Sequence, residues 1–243
     1  MNSIHGSVVL PESVSLGAFI VICEGVKIGS DCVIGNHVVI HEGSVIGNQV
    51  RIDDHAVIGK QPMKALTSAT SSTQKQVPCH IGDGCILGTH TIIYANCTIG
   101  NNCLVADYAS IRENVTVGEK NIIGRNATIE NWCTIGNACK IETNAYITAY
   151  STLEDYIFVA PGVVTSNDNY VGRDPDRFNH FKGVTLKKGA RLGAQVTVLP
   201  GKIIGEETFV AAGSLVTKDL EPRTVYMGSP AKMIKEVDLK QRL

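Results

Sequence analysis

The chain has 243 residues, 44% of them hydrophobic and 19% charged, with a formal net charge of −1. That balance leaves no electrostatic footprint for nucleic acid or an anionic membrane. With no apolar run near eighteen residues and no charged-then-apolar leader, the expectation is one repetitive, soluble, cytoplasmic domain.

Read from the first residue, the chain keeps a beat of six. Ile4, Leu10, Leu16, Ile22, Ile28, Ile34, Ile40, Ile46, Ile52 and Ile58 open it. It restarts at Ile81 and runs through Leu87, Ile93, Ile99, Val105, Ile111, Val117, Ile123, Ile129, Ile135, Ile141, Ile147 and Leu153 to Val159. A third run joins Leu186, Leu192, Val198, Ile204, Val210 and Val216. A period of six matches neither 3.6 nor 3.5, and Val, Ile and Thr favour strand. Each hexad reads as a short strand with one inward aliphatic and a tight corner. Three hexads close a triangular coil of eighteen residues, and coils stack in parallel. The three runs give about ten coils and a prism ~48 Å long at the usual strand spacing. The glycine that often follows the aliphatic, as at Gly35, Gly47 and Gly88, is expected to serve a positive-φ turn.

Four residues after each aliphatic sits a small side chain. Cys32, Cys85, Cys97, Cys103, Cys133 and Cys139 hold this position, which makes them core fillers and not a disulfide framework. Cys23 and Cys79 are read as off-phase. His37 and His41 are four apart on different sides of a corner, and with His55 they read as corner residues. Trp132 likewise reads as a corner side chain.

The beat breaks at residues 59–80 and 160–185. The first break carries Lys60, Lys64 and Lys75 with no acid, and suits an anion-binding flap. The second, with Asn167, Asp168, Tyr170, Arg173, Arg177, His180 and Phe181, is rich in polar and aromatic groups, and long loops on compact scaffolds tend to be functional. Residues 1–221 thus form the coil with two insertions, and 222–243 a tail expected to end in a short helix that caps the prism.

The hexads resemble the hexapeptide-repeat superfamily, which implies an all-β, left-handed parallel β-helix. The closing stretch Ala211-Ala-Gly-Ser-Leu-Val-Thr-Lys218-Asp219, with Gly228-Ser-Pro-Ala231, is similar to the closing signature of its coenzyme-A-dependent acyltransferases. That resemblance implies a homotrimer with active sites between subunits and acetyl-CoA or another short acyl-CoA as co-substrate. It places the coenzyme on Gly193, Ala194, Ala212, Gly213, Ser214, Lys218, Pro230 and Lys232.

Gly59-Lys60-Gln61-Pro62-Met63-Lys64, Ile111-Arg112-Glu113 and Val164-Thr-Ser-Asn167-Asp168-Asn-Tyr170 resemble N-acyltransferases of nucleotide-linked amino sugars, of the dTDP-3-amino-3,6-dideoxyhexose type. This implies Asn167 and Asp168 at the acceptor amine; Glu142, one residue past inward Ile141 and so pointing outward or into a corner, is a second carboxylate candidate for the sugar. It also implies nucleotide-sugar (dTDP or UDP) contacts from Lys60, Gln61, Met63, Lys64, Arg112, Glu113, Tyr170 and Arg173. No metal is expected. The alternatives are a gamma-carbonic-anhydrase-like metal enzyme, a non-catalytic β-helix assembly module and, nearer, a lipid A-type acyltransferase. Residues 94–107 lack the histidine pair of that last group.

Overall fold

The structure is a computed structural model that describes residues 1–70 and 74–243; residues 71–73 of the expected flap lie outside the described residues. It is an all-β parallel solenoid. Nearly every strand is two residues long and pairs with the strand one coil away, as Ile22 does with Ile40 and Ile111 with Ile129. The three faces hold eleven, nine and twelve strands, against the about ten coils expected.

Each hexad works as the periodicity requires. In Val39–Ile40 the first side chain faces outward and the second is buried. The inward aliphatics Ile40, Ile58, Ile93 and Ile111 are fully buried, and the small residues Val38, Ala56, Cys85 and Ala109 fill the corners behind them. Full burial of one such aliphatic stabilises by roughly 2 kcal/mol, and no single coil achieves it.

One expectation about the corners changes. The glycine after the aliphatic supplies the positive φ at Gly59 but not at Gly35, Gly47 or Gly88. That conformation falls two residues later, on His37, Gln49, His55, Asn96 and Asn114 among others. Gly35, Gly47 and Gly88 are needed for close approach instead. A Cβ on Gly47 would stand 2.4 Å from Asp83 Oδ1 and 2.8 Å from its backbone nitrogen. The crowding arises because Asp83 Oδ1 accepts the Asn48 N–H at 2.7 Å, as Asp54 Oδ1 accepts that of Asn36 at 2.6 Å. These side chains tie one coil to the next at each such corner.

At one edge the corner residues form a stack of rings: Phe19, His37, His55, His90 and Tyr108, with successive centroids 4.8–5.0 Å apart. The spacing is that of the coils themselves. The histidines are therefore corner residues, and His41 stands apart from this stack. Among the described residues no group of three His, Cys, Asp or Glu is arranged to hold a metal ion.

All eight cysteines are free, and the six assigned to the core are buried. Cys79 is buried too. It stands six before Cys85 and is the first residue back in phase after the loop, so the off-phase assignment was a miscount across the insertion. Cys23 is partly exposed. A thiol-reactive dye on the native protein is expected to label Cys23 rapidly and the others only on denaturation, because burial pushes thiols such as Cys97 and Cys133 up to about 12. Rapid labelling of several cysteines would contradict this packing.

The tail is not helical as expected. Thr224–Met227 joins the twelve-stranded face parallel to Phe209–Val210, and Lys232–Glu236 folds back antiparallel along it. Only the 3-10 turn Leu239–Gln241 follows. The exposed strand edge of the last coil offers hydrogen bonds that a helix would leave unmade. No helix among the described residues is long and apolar enough to cross a membrane.

The insertions also shift. Strand Val57–Lys60 runs into the first break, and strand Val164–Thr165 continues the coil past Val159, so the second loop starts at Ser166. Thr165 occupies an inward position that is aliphatic in the other strands of the eleven-stranded face; its hydroxyl donates to Tyr146 O at 3.2 Å and accepts the Thr148 N–H at 2.8 Å. Both loops leave the eleven-stranded face and re-enter the nine-stranded one, at His80–Ile81 and Thr185–Leu186. They therefore project from the same edge of the prism.

Candidate functional site

Between the two loops the wall is built by strands Ile92–Tyr94, Ser110–Ile111, Thr128–Ile129 and Tyr146–Ile147. Residues eighteen apart stack on successive coils. One column reads Tyr94, Arg112, Glu130, Thr148 and Ser166, and the next Ala95, Glu113, Asn131, Ala149 and Asn167. The loops close over this wall and leave a cavity of about 330 Å³. Ser68, Ala69 and Thr70 line it from the first loop; Arg112, Glu130, Tyr146, Thr148 and Ala149 from the wall; Asn167, Asp168, Arg177 and Phe181 from the second loop.

Arg112 organises the wall. Its guanidinium forks onto Glu113, Nε to Oε2 at 2.9 Å and Nη2 to Oε1 at 3.0 Å, and Nη1 lies 3.4 Å from Glu130 Oε2. It also lies against the Tyr94 ring, with Cζ 5.0 Å from the centroid. Lys60 Nζ lies over the same ring at 5.3 Å, so Tyr94 gathers two cations near the root of the first loop. Asn131 Nδ2 donates to Thr70 O at 2.7 Å, which fastens that loop to the wall.

The second loop is folded around Asp168. Oδ1 accepts the Tyr170 N–H at 2.8 Å, and Oδ2 accepts the Gly172 N–H at 3.0 Å and Arg177 Nη1 at 2.6 Å. The Arg177 guanidinium also lies over Phe178 at 4.8 Å and Phe181 at 5.4 Å. Desolvation would raise the Asp168 pKa, but the two backbone N–H groups and Arg177 outweigh it and hold the carboxyl below its ordinary value. Glu130 is shifted the other way. Burial raises its pKa, Arg112 opposes this, and the neighbouring Glu113 adds to it. Tyr146 is pushed up to about 12, by burial first and then by the charge of the Glu130 carboxylate.

The structure thus brings Asn167, Asp168 and Arg112 together, with Glu113 buried directly behind Arg112. It does not bring the others into the cavity. Glu142 follows strand Lys140–Ile141 of the twelve-stranded face and is absent from the cavity wall. Gln61 closes the base of the first loop through two hydrogen bonds with the Gln76 backbone, at 2.8 and 3.0 Å. Met63 and Lys64 are exposed, Tyr170 packs beside His180 with ring centroids 5.6 Å apart, and Arg173 is exposed. His180 pairs with Asp176 at 2.7 Å outside the cavity.

Glu130, Tyr146, Thr148, Arg177 and Phe181 are wall residues that the sequence reading did not assign to the site. The eighteen-residue spacing from Arg112 to Glu130 to Thr148 was the signal that would have found two of them.

The small residues assigned to coenzyme sit elsewhere. Gly193, Ala194, Ala212 and Gly213 stack at the edge between the twelve- and eleven-stranded faces, where the Gly213 N–H donates to Ala194 O at 2.8 Å. A Cβ on Gly213 would meet nothing within 4 Å, so the strip is open there, whereas one on Gly193 would stand 2.6 Å from Ala212 N. Ser214 does not contribute to it, being buried with its hydroxyl accepting the Gly228 N–H at 3.1 Å. Lys218, Pro230 and Lys232 are exposed nearby on the tail side.

Comparison with known proteins adds to this geometry. The family described as bacterial transferase hexapeptide (six repeats) matches residues 7–42, 78–113 and 96–131. The galactoside O-acetyltransferase of Escherichia coli strain K12 is 31% identical over 90 residues, which are 36% of this chain and 44% of that protein. The chain therefore spans less than half the length of this curated relative. Among solved structures, a hexapeptide-repeat acetyltransferase of Vibrio cholerae complexed with acetyl coenzyme A overlaps 50% of this chain and 70% of its own, at 22% identity and a TM-score of 0.45. PerB of Caulobacter crescentus, in complex with CoA and GDP-perosamine, overlaps 96% of this chain and 56% of its own, at 20% identity and a TM-score of 0.29. The hexapeptide repeat accordingly stands on the profile match as well as on the coil geometry.

Proposed function

We propose that the chain is an acyl-CoA-dependent N-acyltransferase acting on the amine of a nucleotide-linked amino-deoxysugar, with the dTDP-3-amino-3,6-dideoxyhexose class as the favoured acceptor. The observation that carries the proposal is the cavity itself. Two loops, inserted at one edge of an otherwise regular solenoid, enclose a polar space with carboxylates, an amide and guanidiniums facing inward. Acyl transfer is supported by the hexapeptide-transferase match and the acetyltransferase relative.

In this proposal Asn167 and Glu130 face the amine and its neighbouring hydroxyls, and Asp168 holds the loop that presents Asn167. Lys60, Lys64, Arg173 and Arg177 provide positive charge for a diphosphate. The strip at Gly193, Ala194, Ala212 and Gly213 suits a thin pantetheine arm, with Lys218 and Lys232 toward its phosphates.

Strip and cavity flank the eleven-stranded face on different edges of the prism. One chain therefore does not present both reactants to each other, which supports a site shared between copies in a homotrimer. Within such a site the enzyme's contribution is alignment of amine and thioester carbonyl, together with a place for the amine proton.

The test is release of coenzyme thiol. The protein is mixed with acetyl-CoA, a thiol-trapping dye and a panel of dTDP- and UDP-linked amino sugars, with the hydroxy sugars as controls. Thiol release that depends on the amine is the expected result. Release with the hydroxy sugars alone would replace N- by O-acylation, and no release with any acceptor would sink the proposal for acetyl donors.

A further inference from the structure

The titratable side chains lining the cavity are Arg112, Glu130, Tyr146, Asp168 and Arg177. A guanidinium offers hydrogen-bond donors and no acceptor, so neither arginine can take a proton. Tyr146 keeps its proton, since burial and the adjacent Glu130 push it up to about 12. Asp168 already accepts from three donors, among them the Arg177 guanidinium, and is held below the ordinary carboxylate range. Glu113, directly behind the wall, is 1% exposed and has both oxygens forked by Arg112. His180 and Glu142 do not reach the cavity.

Glu130 differs from all of these. Its contact with Arg112 is long for a charge-assisted bond, at 3.4 Å, and its side chain is 20% exposed, on the cavity wall. We propose that Glu130 is the proton acceptor in this cavity, with Arg112 holding its carboxylate toward the acceptor amine. This rests on the acyl-transfer function proposed above and assigns it a catalytic residue.

The chemistry balances. The amine lone pair forms the N–C bond to the thioester carbonyl as the C=O electrons move onto oxygen. The proton on nitrogen passes to the Glu130 carboxylate. The oxygen electrons then re-form C=O, the C–S bond breaks, and the leaving thiolate takes the proton back from Glu130. Amide and free thiol result, and the carboxylate is restored. The groups that face Glu130 are Arg112 and Glu113 on the coil before it, Tyr146 on the coil after it, and the Asp168–Arg177 pair across the cavity. Burial raises its pKa, so the reactive carboxylate is lost as pH falls through a value above the ordinary glutamate range. The rate of transfer should show an acidic limb there.

The experiment is the pH dependence of kcat/KM for acetyl transfer from acetyl-CoA to a dTDP-linked amino sugar, in the full-length wild type, Glu130→Gln and Glu130→Ala. Glu130→Gln is expected to lower kcat by about 10²–10⁴-fold and abolish the acidic limb without changing the melting temperature. Added formate is expected to restore part of the Glu130→Ala activity, which a purely structural role would not allow. Glu130→Gln within about threefold of wild type, or with the limb intact, overturns the role of Glu130 while leaving the parent function standing. A natively melting Glu130→Ala that is dead with and without formate also overturns it. If Glu130→Gln melts early, Glu130→Asp decides: lower kcat with a shifted limb supports the role, and unchanged kinetics overturn it. A wild type that transfers acetyl to no amine overturns both readings together.

Discussion

Asp168→Asn is expected to lower kcat/KM by about 10²-fold with little change in melting temperature. The Asp168 carboxylate accepts from the Tyr170 and Gly172 N–H groups and from Arg177 at 2.6 Å. Asparagine keeps one acceptor oxygen and turns an NH₂ group toward donors, so at least one contact becomes donor against donor. Arg177 then loses its carboxylate partner, and its hold on Phe178 and Phe181 loosens. Asn167 is the adjacent residue, and a displacement of about 1 Å at a reacting centre is enough for a loss of this size. The scaffold is untouched, because the contact is confined to the loop. Steady-state kinetics with a melting curve check the result, and unchanged turnover would remove Asp168 from the active arrangement. Asp168 thus differs from Glu130: its replacement should lower activity without abolishing the acidic limb.

Gly183→Ala is expected to have the larger structural effect. A Cβ there would lie 2.3 Å from both the carbonyl carbon and oxygen of Tyr150, and 2.4 Å from Ser151 N. These are backbone atoms of the preceding coil and cannot swing aside. Val184, the next residue, is fully buried and its N–H reaches Ser151 Oγ at 3.2 Å. The chain must therefore lift the re-entry of the second loop or shift the Tyr150 corner. Overpacking of this kind costs about 1–3 kcal/mol, seen as a lower urea midpoint, and activity should fall with it because the cavity loses one wall. A midpoint equal to wild type would show that the loop re-enters the coil by a different path.

The hexads were legible because their physics is local and repeated. An inward aliphatic every sixth residue with a small residue four later leaves one way to bury both, and the same arithmetic placed six cysteines in the core. The arithmetic failed wherever a non-aliphatic took the inward position. Thr165 ended the count early and moved the apparent start of the second loop, and Cys79 looked out of phase only because the count did not resume until Ile81. The corner glycines were identified correctly as required but for the wrong reason, since φ and the distance to a neighbouring coil are both absent from a one-dimensional period. The tail was misjudged because nothing in residues 232–236 reveals that an unpaired strand edge lies within reach.

The site divides in the same way. Asn167, Asp168 and Arg112 were assigned through the motifs that carry them, and the cavity brings those three together. Glu130, Tyr146 and Arg177 were not, and Glu142 was assigned although it follows a strand of another face. By itself the sequence determined the coil, its inward residues and the two places where the chain must leave it, because each follows from burial along a fixed repeat. Only the tertiary structure decided that both departures share one edge, and which side chains of the four intervening strands they enclose. It also decided that one carboxylate there is held by three donors while another meets its arginine at 3.4 Å. Those outcomes depend on contacts between residues far apart in the chain, as between Thr70 and Asn131 and in the cavity shared by Ser68 and Phe181, and no local pattern encodes them.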